Sequence, residues 1–360
     1  MQLRATVLSL VLILAVLPGT AAGTAASPSH GCTFPITVTD ATGTQITVEK
    51  GAERVVTLNP SAAQIMWEIG AQEKVVGLSK YASYLNGSEN RTVISGEEQV
   101  VVFEKVVDLD PDIVLAPNTT SADTIEKLRE AGLTVYHFER DTSIKDVYER
   151  VLVVGRLVGE CDEAQATVNW MQERIGVVQE AVEGQERPDA LYLFFGYTAG
   201  SGTFINEIIE TAGANNLAAD AGIQSYQQIS PEVVVEQDPD WIILNSNDPA
   251  LPESDAYNET TAVQEGQVVV VQIEHLNQPA PRIVYAITKL AKAFHPEAYA
   301  AANATPTPSP TPTTAMTDTA SPTPPATITD TASPGQSGFG FLVGLLAVLL
   351  TMVTLVRRRR

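Results

Sequence analysis

One phrase occurs twice in this chain, EKVVDLDPDIVLAPN at Glu104–Asn118 and EVVVEQDPDWIILNS at Glu232–Ser246. In each copy a helix-spaced apolar stretch runs into Asp-Pro-Asp, where the proline removes a backbone donor and crowds the preceding turn, so the helix stops. A run of β-branched and large apolar residues follows and ends on a polar one, the pattern of a buried strand. A chain that spells helix, turn and buried strand twice is expected to build two similar α/β lobes. Two lobes leave a gap, and gaps between lobes are where small ligands bind.

The ends of the chain speak to location. Residues 1–26 hold Arg4, an apolar run from Val7 to Leu17, then Pro18, Gly19 and small residues, the layout of a secretory signal peptide. Phe339–Val356 is an uncharged apolar stretch, about 27 Å long if helical, followed by Arg357–Arg360. The basic tail is expected to stay inside and the body outside. Between them Thr305–Pro334 is built of Thr, Pro, Ser and Ala, which favours extended polyproline II over a core. Residues 303–335 therefore read as a disordered stalk reaching up to roughly 90 Å, and 336–360 as a transmembrane or sorting segment.

Forty-three acidic residues face twenty-two basic ones. Such a body repels nucleic acid, and its acidic surface fits either a high-salt medium or an ordinary acidic extracellular protein. In an exported chain the only two cysteines, Cys32 and Cys161, are expected to pair and tie the mature N-terminus to the middle of the body. Asn86, Asn90, Asn118, Asn258 and Asn303 each head an Asn-x-Ser/Thr triplet, so glycans are expected at some of them.

The N-terminal lobe, residues 32–160, opens with a hairpin in PITVTDATGTQITV and a buried strand at Arg54–Leu58. Asn59, Pro60 and Ser61 begin the next helix; its first N–H groups suit a polar or anionic ligand, or serve an ordinary cap. A strand at Val75–Leu78 leads to Tyr81 and Tyr84, and Asn118 ends a later strand. From Thr142 to Gly184 there is no proline, and apart from Gly155–Asp162 helical spacing runs through Asp146–Leu157 and Glu163–Val182, so a long helix within 161–187 is expected to join the lobes. The C-terminal lobe, 188–302, restarts with Ala190–Phe195 and a glycine-rich loop, placing Phe195 and Tyr197 at a strand end.

RVVTLNPSAAQIMWEIGAQEKVVG, FEKVVDLDPDIVLAPN, ISPEVVVEQDPDWIIL and PAPRIVYAI together resemble the class III substrate-binding proteins of ABC importers, which serve cobalamin, ferric siderophores and haem. The resemblance runs from about Arg54 to Pro296. It implies two Rossmann-like lobes joined by a rigid helix, no catalysis, and no resident cofactor or metal. The cargo it implies is cobalamin or another corrinoid, with haem or a ferric siderophore as alternatives. The partners it implies are a permease dimer with its ATPase subunits, met by a monomer through one glutamate per lobe. Glu104 and Glu232 match those positions, with both expected to be exposed and away from the gap. Ligand contacts carry over to Tyr81 and to the loop His275, Leu276, Asn277, Gln278 and Pro279, where the family's bulky aromatic and charged residues are missing. Tyr81 and His275 are also a candidate pair of axial haem ligands. Pro334-Gly335, the apolar run and the arginines resemble the PGF-CTERM sorting signal of archaeal surface proteins, whose tail is replaced by a lipid. Ser337-Gly338-Phe339 stands where Pro-Gly-Phe is expected.

Two other classes are weighed. The chain lacks the Gly-x-Ser-x-Gly, His-Glu-x-x-His and P-loop motifs and has four histidines, which leaves an enzyme without support. A stalked adhesive protein fits the Thr-rich segment, but such proteins are built of β-sandwiches and this body alternates strand with helix.

Overall fold

The computed structural model describes residues 31–96, 101–251 and 254–304. The signal peptide, most of the stalk and the C-terminal apolar segment read from the sequence lie outside the described residues. Among the described residues no helix is long and apolar enough to cross a membrane.

Strands β1 (Ile36–Thr39) and β2 (Gln45–Val48) form the expected hairpin. Asp40 closes its turn, accepting from Thr42 N at 2.9 Å and Thr44 N at 3.1 Å and pairing with Arg129 at 2.5 Å. The first lobe then runs β3 (Val55–Thr57), α1 (Pro60–Glu68), β4 (Val75–Leu78), β5 (Thr92–Val93), α2 (Phe103–Asp108), β6 (Ile113–Ala116), α3 (Ala122–Glu130) and β7 (Val135–His137). Its five strands are parallel in the order β5-β4-β3-β6-β7. Both faces are covered, which is why β3 and β6 are apolar at nearly every position. Val55, Ile113 and Leu115 face one core with α1, while Val56, Val114 and Ala116 face another with α2 and α3.

Two helices come next, α4 (Ile144–Val158) and α5 (Cys161–Val182). A capping box starts α4, with Ser143 Oγ accepting from Asp146 N at 3.1 Å and Asp146 Oδ2 accepting from Ser143 N at 2.9 Å. Gly159, left-handed at φ 84°, ends it. Along α4, Ile144 and Val147 belong to the second lobe's core and Val151, Val154, Leu157 and Val158 to the first; along α5 the order reverses, from Ala164 and Val168 to Met171, Ile175 and Val178. The sequence suggested one connecting helix; two run antiparallel, each anchored in both cores.

The second lobe runs β8 (Asp189–Tyr192), β9 (Tyr197–Ala199), α6 (Phe204–Thr211), β10 (Asn215–Asn216), α7 (Leu217–Asp220), β11 (Tyr226–Gln228), α8 (Pro231–Gln237), β12 (Trp241–Asn245), α9 (Thr261–Gln264), β13 (Val268–Val271), α10 (Ile273–Leu276), α11 (Ile283–Phe294) and α12 (Pro296–Ala304). Its parallel sheet has the order β10-β8-β12-β13, and β9 pairs with β11 as a separate antiparallel ribbon. Helix α12 carries the lobe to Ala304, past the boundary at 302 read from composition.

The repeated phrase occupies equivalent places, α2 to β6 and α8 to β12, next to the first strand of each lobe. Asp110 and Asp238 both adopt positive φ, 42° and 43°, a conformation Asp tolerates and that turns the chain out of the helix. The second aspartate then pins the neighbouring strand. Asp112 Oδ2 accepts from Glu53 N at 2.8 Å and Arg54 N at 2.9 Å, and Asp240 Oδ2 accepts from Asp189 N at 2.8 Å.

Cys32 and Cys161 are bonded, their Cα atoms 5.4 Å apart across 129 positions of sequence. The bridge fastens the N-terminal segment to the first turn of α5. Gly51 is needed beside it, because a Cβ there would lie 2.7 Å from the Val158 carbonyl. In the chain-entropy account such a loop constrains the unfolded chain by roughly 5 kcal/mol. Replacing both cysteines by serine should lower stability in urea by about 2–5 kcal/mol while far-ultraviolet circular dichroism keeps its native shape. A midpoint unchanged from the parent would show that the N-terminal segment is held by its other contacts.

Candidate functional site

In open parallel sheets ligands sit beyond the carboxyl ends of the strands, and here two such edges face each other. Across the first lobe the order β4-β3-β6-β7 lays out Tyr81 and Tyr84, then Asn59 and Ser61, then Asn118, then Arg140. Across the second, β13-β12-β8 lays out the loop 275–279, then Asn247 and Asp248, then Phe195 and Tyr197. The edges touch at both ends.

At one end the β13 side meets α1 in a closed network around Gln64, which is fully buried. Its amide nitrogen donates its two hydrogens to Tyr84 Oη at 2.9 Å and to the Glu274 carbonyl at 3.0 Å, and lies 3.3 Å from Gln278 Oε1. Its oxygen accepts from Arg282 N at 2.9 Å. Tyr84 Oη donates to Gln278 Oε1 at 2.6 Å, and Arg282 Nε pairs with Glu68 Oε1 at 2.7 Å. Burial pushes the Tyr84 phenol up to about 12, so it stays a neutral donor. Ala280 is packed in the first lobe's core.

At the other end, Arg140 comes just after β7 and donates from Nη1 to Ser225 Oγ at 3.4 Å, just before β11. Nearby, Phe195 is 41% exposed and holds a left-handed backbone at φ 46°, its ring set edge-to-face on Phe194 at 4.8 Å. Its N–H donates to Asp248 Oδ2 at 2.6 Å, which fixes the turn. A bulky residue in that region is strained, and the bond to Asp248 holds it there. An open groove of about 820 Å³ lined by Glu180, Glu183, Arg187, Glu207 and Glu210 precedes β8 and so opens at the opposite edge of the second sheet.

The sequence-read residues fall into groups. Tyr84 and Gln278 are joined in the network. Asn277 donates from Nδ2 to Tyr192 Oη at 2.7 Å, and Leu276 is fully buried, so both serve the second lobe's packing. Asn59 caps α1, its oxygen accepting from Ala62 N at 3.2 Å and its nitrogen donating to Ser61 Oγ at 2.5 Å; this is the ordinary cap, with Ser61 buried beneath it. Tyr81 stands half-buried beside Lys80, whose Nζ is 5.4 Å from its ring centre, and Pro279 is half-buried next to the network. Asn118 is exposed at the end of β6, and Tyr197 Oη accepts from Gln228 Nε2 at 3.3 Å. The His275 ring lies 5.1 Å from Tyr285, and burial, with Arg282 and Lys289 adding to it, pushes it down to about 4, so it is neutral at pH 7. Gln64, Arg140, Ser225 and Tyr226 escaped sequence reading. Gln64 did leave a signal, an amide on the apolar face of SAAQIM. Glu104 and Glu232 hold the same place in the first turns of α2 and α8, and both are exposed. They are not remote from the gap. Both helices run against their strands, and Val102 N bonds to Ile94 O and Ile229 N to Gly196 O at the strands' carboxyl edge.

A family profile described as "Periplasmic binding protein" matches residues 55–273. The chain is 46% identical over 283 residues to a protein of Halobacterium salinarum named "Cobalamin-binding protein", covering 75% of this chain and 77% of that one. Among solved structures, the periplasmic vitamin B12 binding protein BtuF of Vibrio cholerae aligns with a TM-score of 0.60 at 22% identity, over 70% of this chain and 98% of that one. The periplasmic heme-binding protein RhuT from Roseiflexus sp. RS-1 aligns at 0.62 and 24%, over 69% and 100%. At such identities the two structures speak for the fold alone.

The network around Gln64 makes a measurable demand on stability. Gln64→Leu keeps the volume but strands the Arg282 N–H and the Glu274 carbonyl away from water, which should cost about 1–3 kcal/mol in urea unfolding. A loss below roughly 0.5 kcal/mol would show that the two lobes are held together without it.

Proposed function

The chain belongs to the periplasmic binding protein family, and from that premise we propose that it captures cobalamin or another corrinoid between its lobes and hands it to the permease of an ABC importer. Binding proteins of this class deliver small molecules to such permeases and are not enzymes. The observation that carries the corrinoid reading is the pair of facing strand edges, with Tyr81 on one and the strained, exposed Phe195 on the other, in a chain 46% identical to a cobalamin-binding protein. Two aromatic faces suit the broad apolar faces of a macrocycle. Haem and ferric siderophores are the alternative cargo; the haem version asks His275 to leave its place against Tyr285.

Glu104 and Glu232 are the proposed docking points. Each projects from the second position of an equivalent helix, so a two-fold permease can offer an arginine to each. Their place on the gap-facing edge would set the permease over the mouth of the ligand site. We also take the mature protein to be exported and held at the outer face of the cell membrane by the C-terminal segment or a lipid replacing it. The five sequon asparagines are all exposed, which supports glycans. One on Asn118 would stand at a strand end beside the gap.

Titration of the secreted protein with cyanocobalamin, haemin and a ferric siderophore should show saturable binding of the first. Tyr81→Ala or Phe195→Ala should each weaken it at least tenfold, about 1.4 kcal/mol. Affinity unchanged in both variants would move the site away from these edges. Reversing both glutamates, Glu104→Arg with Glu232→Arg, should leave ligand affinity intact and abolish uptake in cells, because repulsion replaces attraction at each contact. Normal uptake would make the two carboxylates ordinary solvated helix residues.

A further inference from the structure

The two ends of the gap differ in charge. The end around Gln64 is internally satisfied: its amide and phenol partner one another, and its one cation, Arg282, is paired with Glu68. The end at Arg140 is not. Among the described residues no carboxylate comes within ion-pair distance of the Arg140 guanidinium, although the whole chain holds 43 acidic residues against 22 basic ones. The adjacent Asp141 is consumed by the buried Arg150, which takes both its oxygens. Glu139, on the other side, is exposed and makes no ion pair among the described residues.

The surface facing Arg140 across the gap is built for donation as well. Ser225 has a left-handed backbone at φ 60°, fixed by Ser225 N donating to Ser201 O and Gly200 N donating to Ser225 O, each at 2.9 Å. Its hydroxyl is thereby held toward the first lobe, 3.4 Å from Arg140. Tyr226 packs against the second lobe's core beside it. Burial raises the Tyr226 phenol, while the Arg140 charge lowers it and Asp141 raises it, so the hydroxyl stays neutral. Among the described residues that hydroxyl makes no hydrogen bond. The Arg140 guanidinium thus meets the Ser225 hydroxyl of the opposite lobe through one of its five N–H groups, with Tyr226 next in the chain, and among the described residues no carboxylate pairs with it. Donors in such surplus fit an oxyanion, which satisfies them together.

We propose that Arg140, Ser225 and Tyr226 form an anion subsite at the β7 end of the gap that holds the phosphodiester of the corrinoid's nucleotide arm. The inference rests on the corrinoid reading above and adds to it a basis for selection. Complete corrinoids carry this phosphodiester, whereas cobinamide, the same ring without the nucleotide arm, lacks it. The subsite would let the protein prefer the complete molecule without contacting the attached base.

The test compares cyanocobalamin with dicyanocobinamide by calorimetry on the secreted protein, Arg140→Gln, Arg140→Lys and Ser225→Ala. The parent should bind cyanocobalamin at least tenfold more tightly. Arg140→Gln should lose about tenfold for cyanocobalamin and stay within twofold for dicyanocobinamide, which also certifies that the variant is folded. Arg140→Lys should recover part of the loss, because it keeps charge but not the fork, and Ser225→Ala should lose less than Arg140→Gln. Equal binding of the two ligands by the parent, or equal weakening of both by Arg140→Gln, would overturn the subsite and leave the corrinoid reading standing. Binding of neither ligand by the parent would overturn both.

Discussion

Everything in this molecule hangs on the way α4 and α5 divide their apolar faces between two cores. Ile144 and Val147 are buried in the second lobe and Val151 to Val158 in the first, and α5 repeats the arrangement in reverse. The chain therefore passes between the lobes before α4, along α4 and again along α5. Turning one lobe against the other would expose apolar surface on both helices, which costs about 25 cal/mol per Å². Close packing adds to this: at Gly155 a Cβ would collide with Ala164 across the helix pair. Such a spine permits small adjustments of the gap and resists wide opening.

The rigidity explains why the gap can be built from edges instead of a closing lid. The two edges run past each other with a pseudo-two-fold relation, so that the loop after β13 in one lobe meets α1 and Tyr84, and Arg140 after β7 in the other meets the ribbon β9-β11. Equivalent positions have diverged in chemistry. One became a neutral, fully bonded network that fixes the distance between the lobes. The other sets Arg140, which pairs with no carboxylate among the described residues, against the Ser225 hydroxyl. The same symmetry sets Glu104 and Glu232 on matching first turns, so a single duplication of architecture provides both a site and two equivalent handles beside it.

Much of this was legible in the residues. Asp-Pro-Asp announced both lobes, and the strands after it lie where the apolar runs put them because parallel strands covered on both faces have no polar face to hide. Cys32 and Cys161 were a pair by count and compartment. Asn59 and Ser61 show the limit of such reading: a polar residue before Pro60 suits either a ligand or a cap, and the fold shows Asn59 Oδ1 accepting from Ala62 N at 3.2 Å as a cap does. The loop 275–279 was read as a wall of the site, and Leu276 and Asn277 turn out to face inward, since a short helix sets side chains by packing and not by position in the loop. Glu104 and Glu232 were expected away from the gap, and the direction of α2 and α8 brings them to its edge.

The sequence by itself determined the two α/β lobes and the bridge, because periodicity, proline and cysteine act locally or by count, and the class of protein was legible only through the resemblance of its motifs to a known family. Tertiary structure alone decided which groups meet across the gap. Gln64 finds Gln278 across 214 positions and Arg140 finds Ser225 across 85, and no local pattern encodes either meeting. Whether an arginine is paired or left available depends on which carboxylates the fold brings near it. Asp141 stands next to Arg140 in sequence and yet belongs to Arg150, because the fold sets the Arg150 Nε and Nη2 against both of its oxygens.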